Sequence, residues 1–348
     1  MTGDESIELV ADDATAFAAA LLVAGGAASS GARIVAEHLV ESDHCGVHSH
    51  GLLRVPQYLD EMRLGELAGD LDPEVVDRRA ARVLIDGRRA FGQVAAELAL
   101  SEADTAASNY GVGLATVYRA GHAGRIGAYV ERVAASGRCA VAFCAGPRSG
   151  HRVAPFRGVE GRLSTNPIAF GFPGDIGPVI ADFSTSTVPE GVVRRLRDLG
   201  LPAPEGSLQD AAGNATLDPS ILYLDPPGTI LPVGGPLFGH KGYALGLLVE
   251  AMTTVLAGEN AADDERLGNT LTVLVIAADA RLAAAGTALA EYVRSARAAD
   301  QARPVLLPGD LERSARESSP HIRVDTVTWR MLTALAEREA VEAPEAVA

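Results

Sequence analysis

Six short runs rich in β-branched residues, separated by helical segments, occupy the middle of the chain and constrain its fold most strongly. The runs cover residues 82–86, 113–117, 140–144, 167–172, 178–183 and 270–276. Their length and composition are typical of strands. Between them, the segments 94–109, 128–136 and 242–257 carry apolar residues at helical spacing. This alternation predicts an α/β domain in the middle of the chain.

The two ends of the chain have a helical pattern instead. Apolar residues recur at helical spacing in four segments: 12–45, which breaks at Gly25 and Gly26, 51–64, 281–300 and 325–339. We therefore predict one helical domain built from residues 1–77 and 281–348, with a sheet domain over residues 78–280 inserted between its two parts.

Composition and charge disfavour several classes of protein. The chain has 348 residues, of which 47% are hydrophobic, and this suffices for a substantial core in two domains. Its formal net charge of −15 argues against nucleic acid or an anionic membrane as a partner, since both need clustered Lys and Arg. The three cysteines form no CxxC pair, and the acidic N-terminus lacks a signal-peptide pattern. We expect a cytoplasmic protein that binds neither nucleic acid nor membrane.

A histidine and an arginine stand four residues apart in the segment 48–54. On a helix, His50 and Arg54 would project from the same face. Arg54 could then hold a carboxylate by two parallel hydrogen bonds while His50 donates to a neighbouring oxygen, which suits a 2-hydroxy or 2-oxo acid. The same spacing also fits an Arg54 paired with Asp60 or Glu61 and a His50 that only caps the helix.

His122 is the strongest candidate for an acid or a base. It lies in the glycine-rich segment 121–127, directly after a predicted strand. Such a loop leaves room for a ligand and for a pKa near neutrality, as proton transfer to a carbonyl oxygen requires. The position is also compatible with a histidine that caps the helix predicted from about Gly127.

The usual nucleotide-binding motifs are missing from the sequence. No GxGxxG follows a strand, and the segment 239–243 lacks the preceding glycine of a P-loop. Lys241 lies just before the helix predicted over 242–257, where a cation and free backbone N–H groups can bind phosphate, or it is simply an exposed lysine. Asp182 ends a predicted strand, where it can bond ribose hydroxyls, orient a histidine or cap the strand.

Several motifs, taken in order, are similar to those of one enzyme family. They are HSHGLLR at 48–54, GHAGRIG at 121–127, TNP at 165–167, DFSTS at 182–186, GHKGY at 239–243, LVE at 248–250 and LLPGD at 306–310. With them the chain resembles, nearly end to end, the malate/L-lactate dehydrogenase family of NAD(P)-dependent 2-hydroxyacid oxidoreductases, which lack a Rossmann fold. The resemblance implies an α/β fold with a large mixed sheet that binds the cofactor, a helical domain, and a homodimer.

The resemblance also implies roles for individual residues. His122 would exchange a proton with the substrate, Arg54 would hold the substrate carboxylate, and His50 would lie beside them. Eight further residues would contact NAD or NADP or line its cleft: Ser149, Thr165, Asn166, Pro167, Asp182, Phe183, Ser184 and Lys241.

Two departures from the usual family pattern bear on the substrate. Gly121 precedes His122 and Ala-Gly-Arg follows it, which resembles the hydroxycarboxylate dehydrogenase-like subgroup, some of whose members accept bulkier side chains. The loop around residues 146–157 is basic, with Arg148, Arg152 and Arg157. These arginines either meet an acidic substrate or a cofactor 2′-phosphate, or they are solvated.

The sequence therefore predicts hydride transfer between NAD(P)H and C2 of a 2-oxo or 2-hydroxy acid, with a small molecule as the partner. Reduction of a cyclic imine carboxylate is an alternative that the sequence does not distinguish. A catalytically silent relative that binds a dinucleotide or a protein partner is a second alternative. A metal-dependent hydrolase using His44, His48 and His50 is a third alternative. Because no carboxylate–histidine motif accompanies these residues, we predict no metal site.

Overall fold

The structure is a computed structural model that describes residues 6–263 and 268–347. The helices are α1 (Ala11–Ala24), α2 (Ser29–His44), α3 (Arg54–Arg63), α4 (Gly92–Tyr110), α5 (Gly127–Ala135), α6 (Glu190–Asp198), α7 (Gly235–Glu250), α8 (Ala280–Arg294), α9 (Asp310–Ser318) and α10 (Thr326–Glu339). The strands are β1 (Ser6–Val10), β2 (Glu74–Arg79), β3 (Arg82–Asp86), β4 (Val112–Ala120), β5 (Cys139–Ala145), β6 (Ile168–Phe172), β7 (Val179–Phe183), β8 (Leu208–Gln209), β9 (Ala215–Thr216), β10 (Thr229–Ile230), β11 (Asn269–Ile276) and β12 (His321–Asp325).

Seven strands form one mixed sheet in the order β2-β3-β4-β11-β5-β6-β7. Only β3 and β4 pair in parallel, and every other neighbouring pair in this sheet is antiparallel. All six runs predicted as strands lie in this sheet. The α/β fold with a large mixed sheet is confirmed.

Side chains alternate along each strand and so project from both faces of the central sheet. Helices cover both faces. On β5, Ala142 and Cys144 pack in the core formed with α4 and α5, whereas Phe143 and Ala145 pack against Val249 of α7. The first core is rich in alanine, so α4 approaches the sheet closely. At Gly113 a Cβ atom would lie 1.9 Å from the Ala103 carbonyl oxygen of α4, which leaves no room for a side chain.

A second core joins the two ends of the chain. α1, α2 and α3 pack with β12 and α10, and β1 pairs antiparallel with β12. The helix α8 packs elsewhere, since its Ala290 contacts Val179 of β7 and Leu307. The division of the chain at residues 77 and 280 stays a prediction. In the C-terminal part, β12, α10 and the residues Val341 and Ala343 pack in the core of the N-terminal helices.

The predicted start of the helix at residue 242 is wrong. α7 begins seven residues earlier, at Gly235, because Gly234 adopts a left-handed backbone (φ 96°) and a proline follows in the first turn. Ala251–Val255 continues α7 as a π-helical turn. Lys241 therefore lies inside the helix, far from its free N–H groups.

Among residues 6–263 and 268–347, no helix combines the length and the apolar character needed to cross a lipid bilayer.

Candidate active site

Two connected cavities open at one edge of the central sheet, where β4, β5 and β7 end and where β6 and β11 begin. The histidine cavity, of about 390 Å³, is lined by His50, Arg54 and His122. The Asp182 cavity, of about 260 Å³, is lined by Asp182 and its neighbours. Ser49, His50, Thr165 and Pro167 line both, so the two cavities form one continuous cleft.

The buried carboxylate of Asp43, near the end of α2, shapes the segment that carries His50 and Arg54. Its Oδ1 lies 2.9 Å from Nδ1 of His48, and its Oδ2 accepts the Leu52 backbone N–H at 2.8 Å. A Cβ atom on Gly51 would lie 2.1 Å from the same carboxylate, so only glycine fits there. Asp43 thus holds the turn that leads into α3.

We had expected His50 and Arg54 to project from one helix face, but they do not lie on a common helix. His50 ends a 3-10 turn (His48–His50), Gly51 is extended, and α3 begins only at Arg54. The extended backbone at Gly51 interrupts the helical spacing between His50 and Arg54. The two side chains nevertheless line the same cavity.

Arg54 is held by neutral groups. Its Nε donates to the Ser49 carbonyl oxygen at 2.7 Å and its Nη1 donates to Gln57 Oε1 at 2.6 Å. It forms no ion pair with Asp60 or Glu61 among the described residues, which answers the alternative drawn from the sequence. Nη2 has no protein acceptor within the described part of the chain, and it lies 3.4 Å from where a Cβ on Gly191 would stand. One edge of the guanidinium is therefore free to bind an anion in the cavity.

His122 is oriented by a buried tyrosine. Its Nδ1 lies 2.8 Å from the Tyr58 hydroxyl oxygen, which also accepts the Gln93 Nε2 amide hydrogen at 2.9 Å. The His122 ring stacks on His50 with 5.4 Å between the ring centroids. Because Nδ1 is engaged, Nε2 is the ring nitrogen available for proton exchange in the cavity.

Glycine is required two residues after this histidine. Gly124 has a left-handed backbone (φ 71°), and a Cβ atom there would lie 2.3 Å from His38 Nε2. That nitrogen accepts the Arg125 backbone N–H at 2.9 Å. The glycines of the segment 121–127 therefore let the loop pass close to the buried His38.

The electrostatics of His122 differ from our expectation of a pKa near neutrality for this residue. The pKa of His122 lies well below its usual value of 6.5, first because the ring is desolvated and next because the cationic Arg54 is near. For the same two reasons the pKa of His50 falls to about 3. Both rings are uncharged at neutral pH in the ligand-free cleft.

The Asp182 cavity offers a set of groups that suits a nicotinamide dinucleotide. Asp182 Oδ2 accepts the Gly127 backbone N–H at 2.7 Å, which leaves Oδ1 for a ribose hydroxyl. Desolvation within the cleft raises the pKa of Asp182 to about 6. Phe183 exposes 40% of its surface at the cleft, where a flat ring can pack, and Ser184 adds a hydroxyl. Arg313 and Arg316 line the same cavity, where Arg313 pairs with Asp310 and Arg316 pairs with Glu41 and Glu131.

The remaining predicted cofactor residues separate into two groups. Thr165, Pro167 and Ser149 line the cleft. Asn166 is fully buried, and its amide donates to the Gly246 carbonyl oxygen at 3.1 Å and to Glu250 Oε1 at 3.0 Å, so it ties the loop before β6 to α7. Lys241 is exposed, and its Nζ lies 5.4 Å from the centroid of the Phe238 ring. It lines neither of the two cavities.

The three histidines considered for a metal have separate partners. His44 Nε2 lies 2.6 Å from the Ser319 carbonyl oxygen, His48 contacts Asp43, and His50 Nδ1 lies 2.9 Å from the Ser49 hydroxyl. Within residues 6–263 and 268–347, no group of three His, Cys, Asp or Glu side chains is placed to hold a metal ion.

Four functional neighbours escaped the sequence reasoning: Asp43, Tyr58, Gln93 and Arg194. Arg194, which lines the histidine cavity, belongs to α6, a helix that the sequence pattern did not predict. Tyr58 follows Arg54 by four residues on α3, and this spacing could have marked it as a partner in the site. Gln93 carried no comparable signal.

Comparison with known proteins places the chain among enzymes of matching length. The chain is 34% identical over 325 residues to an L-lactate dehydrogenase from Cupriavidus necator, covering 90% of this chain and 92% of that protein. It is 32% identical over 317 residues to hydroxycarboxylate dehydrogenase B from Escherichia coli, covering 86% of each. The solved structure of delta1-piperideine-2-carboxylate reductase from Pseudomonas syringae is similar with a TM-score of 0.83 and 27% identity, over 95% of this chain and all of that chain (100%). The family model for malate/L-lactate dehydrogenase matches residues 9–333, which confirms the resemblance, and the chain belongs to the malate/L-lactate dehydrogenase family.

Proposed function

We propose that the protein is a dehydrogenase that interconverts a 2-hydroxy acid and a 2-oxo acid with a nicotinamide dinucleotide. The observation that carries the proposal is that Arg54, whose Nη2 has no protein acceptor among the described residues, lines the same cavity as His122. A 2-oxo acid has a carboxylate that Arg54 can bind and an adjacent carbonyl oxygen that His122 can protonate. Family membership supports the same reaction class.

The residues of this chain bind, orient and exchange a proton. Arg54 holds the carboxylate, and Ser49 and Gln57 keep the guanidinium in place. His122 gives a proton to the C2 oxygen during reduction and takes it back during oxidation. His50 stays uncharged beside it, because its pKa of about 3 keeps a second positive charge out of the cavity.

Substrate binding is expected to adjust the acidity of His122. The cationic Arg54 helps to lower the pKa of His122 in the free protein. A carboxylate bound to Arg54 neutralises that charge and so raises the pKa of His122 towards its ordinary value. Proton uptake is thereby coupled to the binding of an oxo acid.

The Asp182 cavity is the proposed site of NAD or NADP, with Asp182, Phe183, Ser184, Thr165 and Pro167 as its contacts. A bound nicotinamide dinucleotide supplies the hydride in reduction and accepts it in oxidation. Roles for Ser149, Asn166 and Lys241 in cofactor binding stay predictions.

Reduction of a cyclic imine carboxylate is a second candidate, favoured by one comparison. A delta1-piperideine-2-carboxylate reductase shares the fold over nearly the whole chain. Such a substrate also presents a carboxylate beside its C=N bond, and Arg54 would hold it in the same way. The acceptor atom alone separates the two candidates.

The test combines either NADH or NADPH with a panel of acceptors and follows nicotinamide absorbance. The panel runs from pyruvate and oxaloacetate to phenylpyruvate, with delta1-piperideine-2-carboxylate as the imine. Wild type, His122→Ala and His321→Ala are compared, because His321 is a partly exposed histidine on β12, outside the cleft. We expect turnover of an oxo acid that collapses only in His122→Ala. Turnover of the imine alone would favour the second candidate, and no turnover of any acceptor would favour a catalytically silent relative.

We also propose that two copies associate as a homodimer through the apolar face of α7. Leu237 and Phe238 expose 77% and 58% of their surfaces, and Leu248 exposes 44%. Exposed apolar patches of this kind commonly mark interfaces between proteins. Sedimentation velocity on wild type and on Leu237→Asp should give a dimer and a monomer, and a monomeric wild type would refute the proposal.

A further inference from the structure

The hydroxyl of Tyr58 lies between two groups whose hydrogens must be ordered. It is 2.8 Å from His122 Nδ1 and 2.9 Å from the Gln93 amide. Tyr58 is 1% exposed and Gln93 is fully buried, so bulk water does not reach this contact. Tyr58 lines neither cavity, and it acts on the cleft only through His122.

Two arrangements of these three groups give the Tyr58 hydrogen an acceptor. In the first, the Gln93 NH₂ donates to the Tyr58 oxygen, and the Tyr58 hydroxyl donates to Nδ1 of His122. A neutral His122 then carries its hydrogen on Nε2, and it has no lone pair in the cavity with which to accept a proton.

In the second arrangement the Gln93 amide is turned over. His122 Nδ1–H donates to the Tyr58 oxygen, and the Tyr58 hydroxyl donates to Gln93 Oε1. Nε2 then has a free lone pair and can take the proton of a hydroxy acid, while the Nδ1–H bond to Tyr58 is retained in the resulting imidazolium.

Both orientations of the amide are open to Gln93. In the orientation observed, Gln93 Oε1 is buried without a hydrogen-bond partner among the described residues. Turning the amide over places its NH₂ at that position and its Oε1 beside the Tyr58 hydroxyl. The Gln93 side chain can therefore present either a donor or an acceptor to Tyr58.

We propose that Tyr58 and Gln93 are positioning residues that set which nitrogen of His122 carries the hydrogen, and so whether His122 can accept a proton from the substrate. This inference rests on the proposed dehydrogenase function. During oxidation the hydroxyl proton of the 2-hydroxy acid moves to Nε2, and His122 becomes an imidazolium. The imidazolium returns that proton to the C2 oxygen during reduction, so the protons balance in both directions.

Burial and the surrounding charges keep Tyr58 and His122 uncharged in the ligand-free protein. Burial raises the pKa of the Tyr58 hydroxyl, so it stays neutral and reorients without losing its proton. His122 faces Arg54, His50, His38 and Arg194, and these groups lower its pKa after desolvation does. An acceptor at Nδ1 stabilises the imidazolium against these charges, and the Tyr58 oxygen, 2.8 Å from Nδ1, is placed to be that acceptor.

Two substitutions of Gln93 separate this role from a structural one. Gln93→Leu removes one of the two partners of the Tyr58 hydroxyl, which leaves Nδ1 of His122 as the acceptor for its hydrogen. This favours the Nε2–H form of His122, and we expect hydroxy acid oxidation to fall about 10- to 100-fold. Gln93→Glu keeps the shape and supplies an acceptor, so we expect activity within about threefold of wild type and an apparent pKa of His122 that moves up. Packing alone predicts the reverse order, because a buried carboxylate disturbs a core more than leucine does.

Tyr58→Phe and a matched control complete the series. Without the hydroxyl, the imidazolium Nδ1–H loses its acceptor, so the apparent pKa in the pH profile of reduction should move down. Tyr129→Phe removes another buried hydroxyl bond, from Tyr129 to the Ala123 carbonyl oxygen at 2.5 Å, and should leave the profile of wild type. Thermal unfolding of all the variants checks that each folds.

A second readout does not depend on turnover. Nitrogen-15 NMR of the histidine side chains, with His122 assigned by its loss in His122→Ala, reports which ring nitrogen carries the hydrogen. We expect the Nε2–H form in Gln93→Leu and the Nδ1–H form in Gln93→Glu. The same tautomer in both, or Gln93→Leu with unchanged activity, would overturn the proposal. If wild type reduces no acceptor, the proposed function fails while the NMR result still decides the ordering of His122.

Discussion

Replacing Arg54 by lysine tests how the cleft recognises a carboxylate. The guanidinium serves three directions at once: the Ser49 carbonyl oxygen at 2.7 Å, Gln57 at 2.6 Å and the cavity through Nη2. A lysine ammonium concentrates its charge on one atom and cannot offer a carboxylate two parallel hydrogen bonds from a fixed plane. Arg54→Lys therefore keeps the charge but loses at least one bond to the substrate.

The expected size follows from that single bond. A hydrogen bond to a charged group contributes about 1.5–3 kcal/mol, which corresponds to a rise in KM of about 10- to 150-fold. The assay measures KM and kcat for the oxo acid, together with the dissociation constant of a non-reacting 2-oxo acid analogue. An analogue with a neutral amide in place of the carboxylate should bind wild type and Arg54→Lys equally.

Arg63→Lys on the same helix provides the matched control. Arg63 pairs with Asp60 and Glu339, is 41% exposed and lies outside the cleft, so its replacement should leave KM unchanged. A KM for Arg54→Lys within about twofold of wild type would refute the carboxylate role. So would an equal loss of affinity for the amide analogue.

Three further predictions concern the cleft. Gly124→Ala and Gly137→Ala both place alanine on a left-handed backbone, but only the Cβ added at Gly124 would lie 2.3 Å from His38 Nε2. Both should lower the melting temperature, and only Gly124→Ala should also lower kcat, by at least about tenfold. Because the pKa of Asp182 rises from 3.8 to about 6 on folding, its contribution to the free energy of unfolding decreases as pH rises from about 4 to 6 and is constant above pH 6. Melting curves of Asp182→Asn should lack this trend, and the same pH dependence in wild type and variant would contradict the prediction. Arg152 lines the histidine cavity with no side-chain partner among the described residues; we expect oxaloacetate to be preferred to pyruvate, and Arg152→Gln to reduce that preference about tenfold, as steady-state kinetics would report.

The regular elements of this protein could be predicted because their signals are local. Short runs rich in β-branched residues favour strands through their local propensity, and all six predicted runs lie in the central sheet. The start of α7 was misplaced because the apolar stripe begins after the helix does, whereas Gly234 and the proline that follows mark its true start. The helices α6 and α9 were missed because each has only nine residues, most of them polar or charged, so their few apolar residues form too short a stripe to stand out in the sequence.

The chemistry of the site was predictable in type but not in arrangement. His50, Arg54, His122 and Asp182 are residue types that serve acid–base chemistry and anion binding, and their surroundings of glycine and strand ends are visible in the sequence. Their acidity was not, because the low pKa of His122 depends on desolvation and on Arg54, 68 positions away in the chain.

By itself, the sequence determined the strands and most helices, the types of group in the site, and the family. Only the tertiary structure decided which of those groups share a cavity: Phe183 and Thr165 face the cleft, whereas the Asn166 amide binds α7 and Lys241 points to the surface. It also decided that Tyr58 meets His122 across 64 residues of chain and that Gln93 meets Tyr58 across 35. The physical reason is that propensity acts between neighbours along the chain, while burial, charge and hydrogen-bond direction depend on atoms that meet only after the sheet and the helical core have formed.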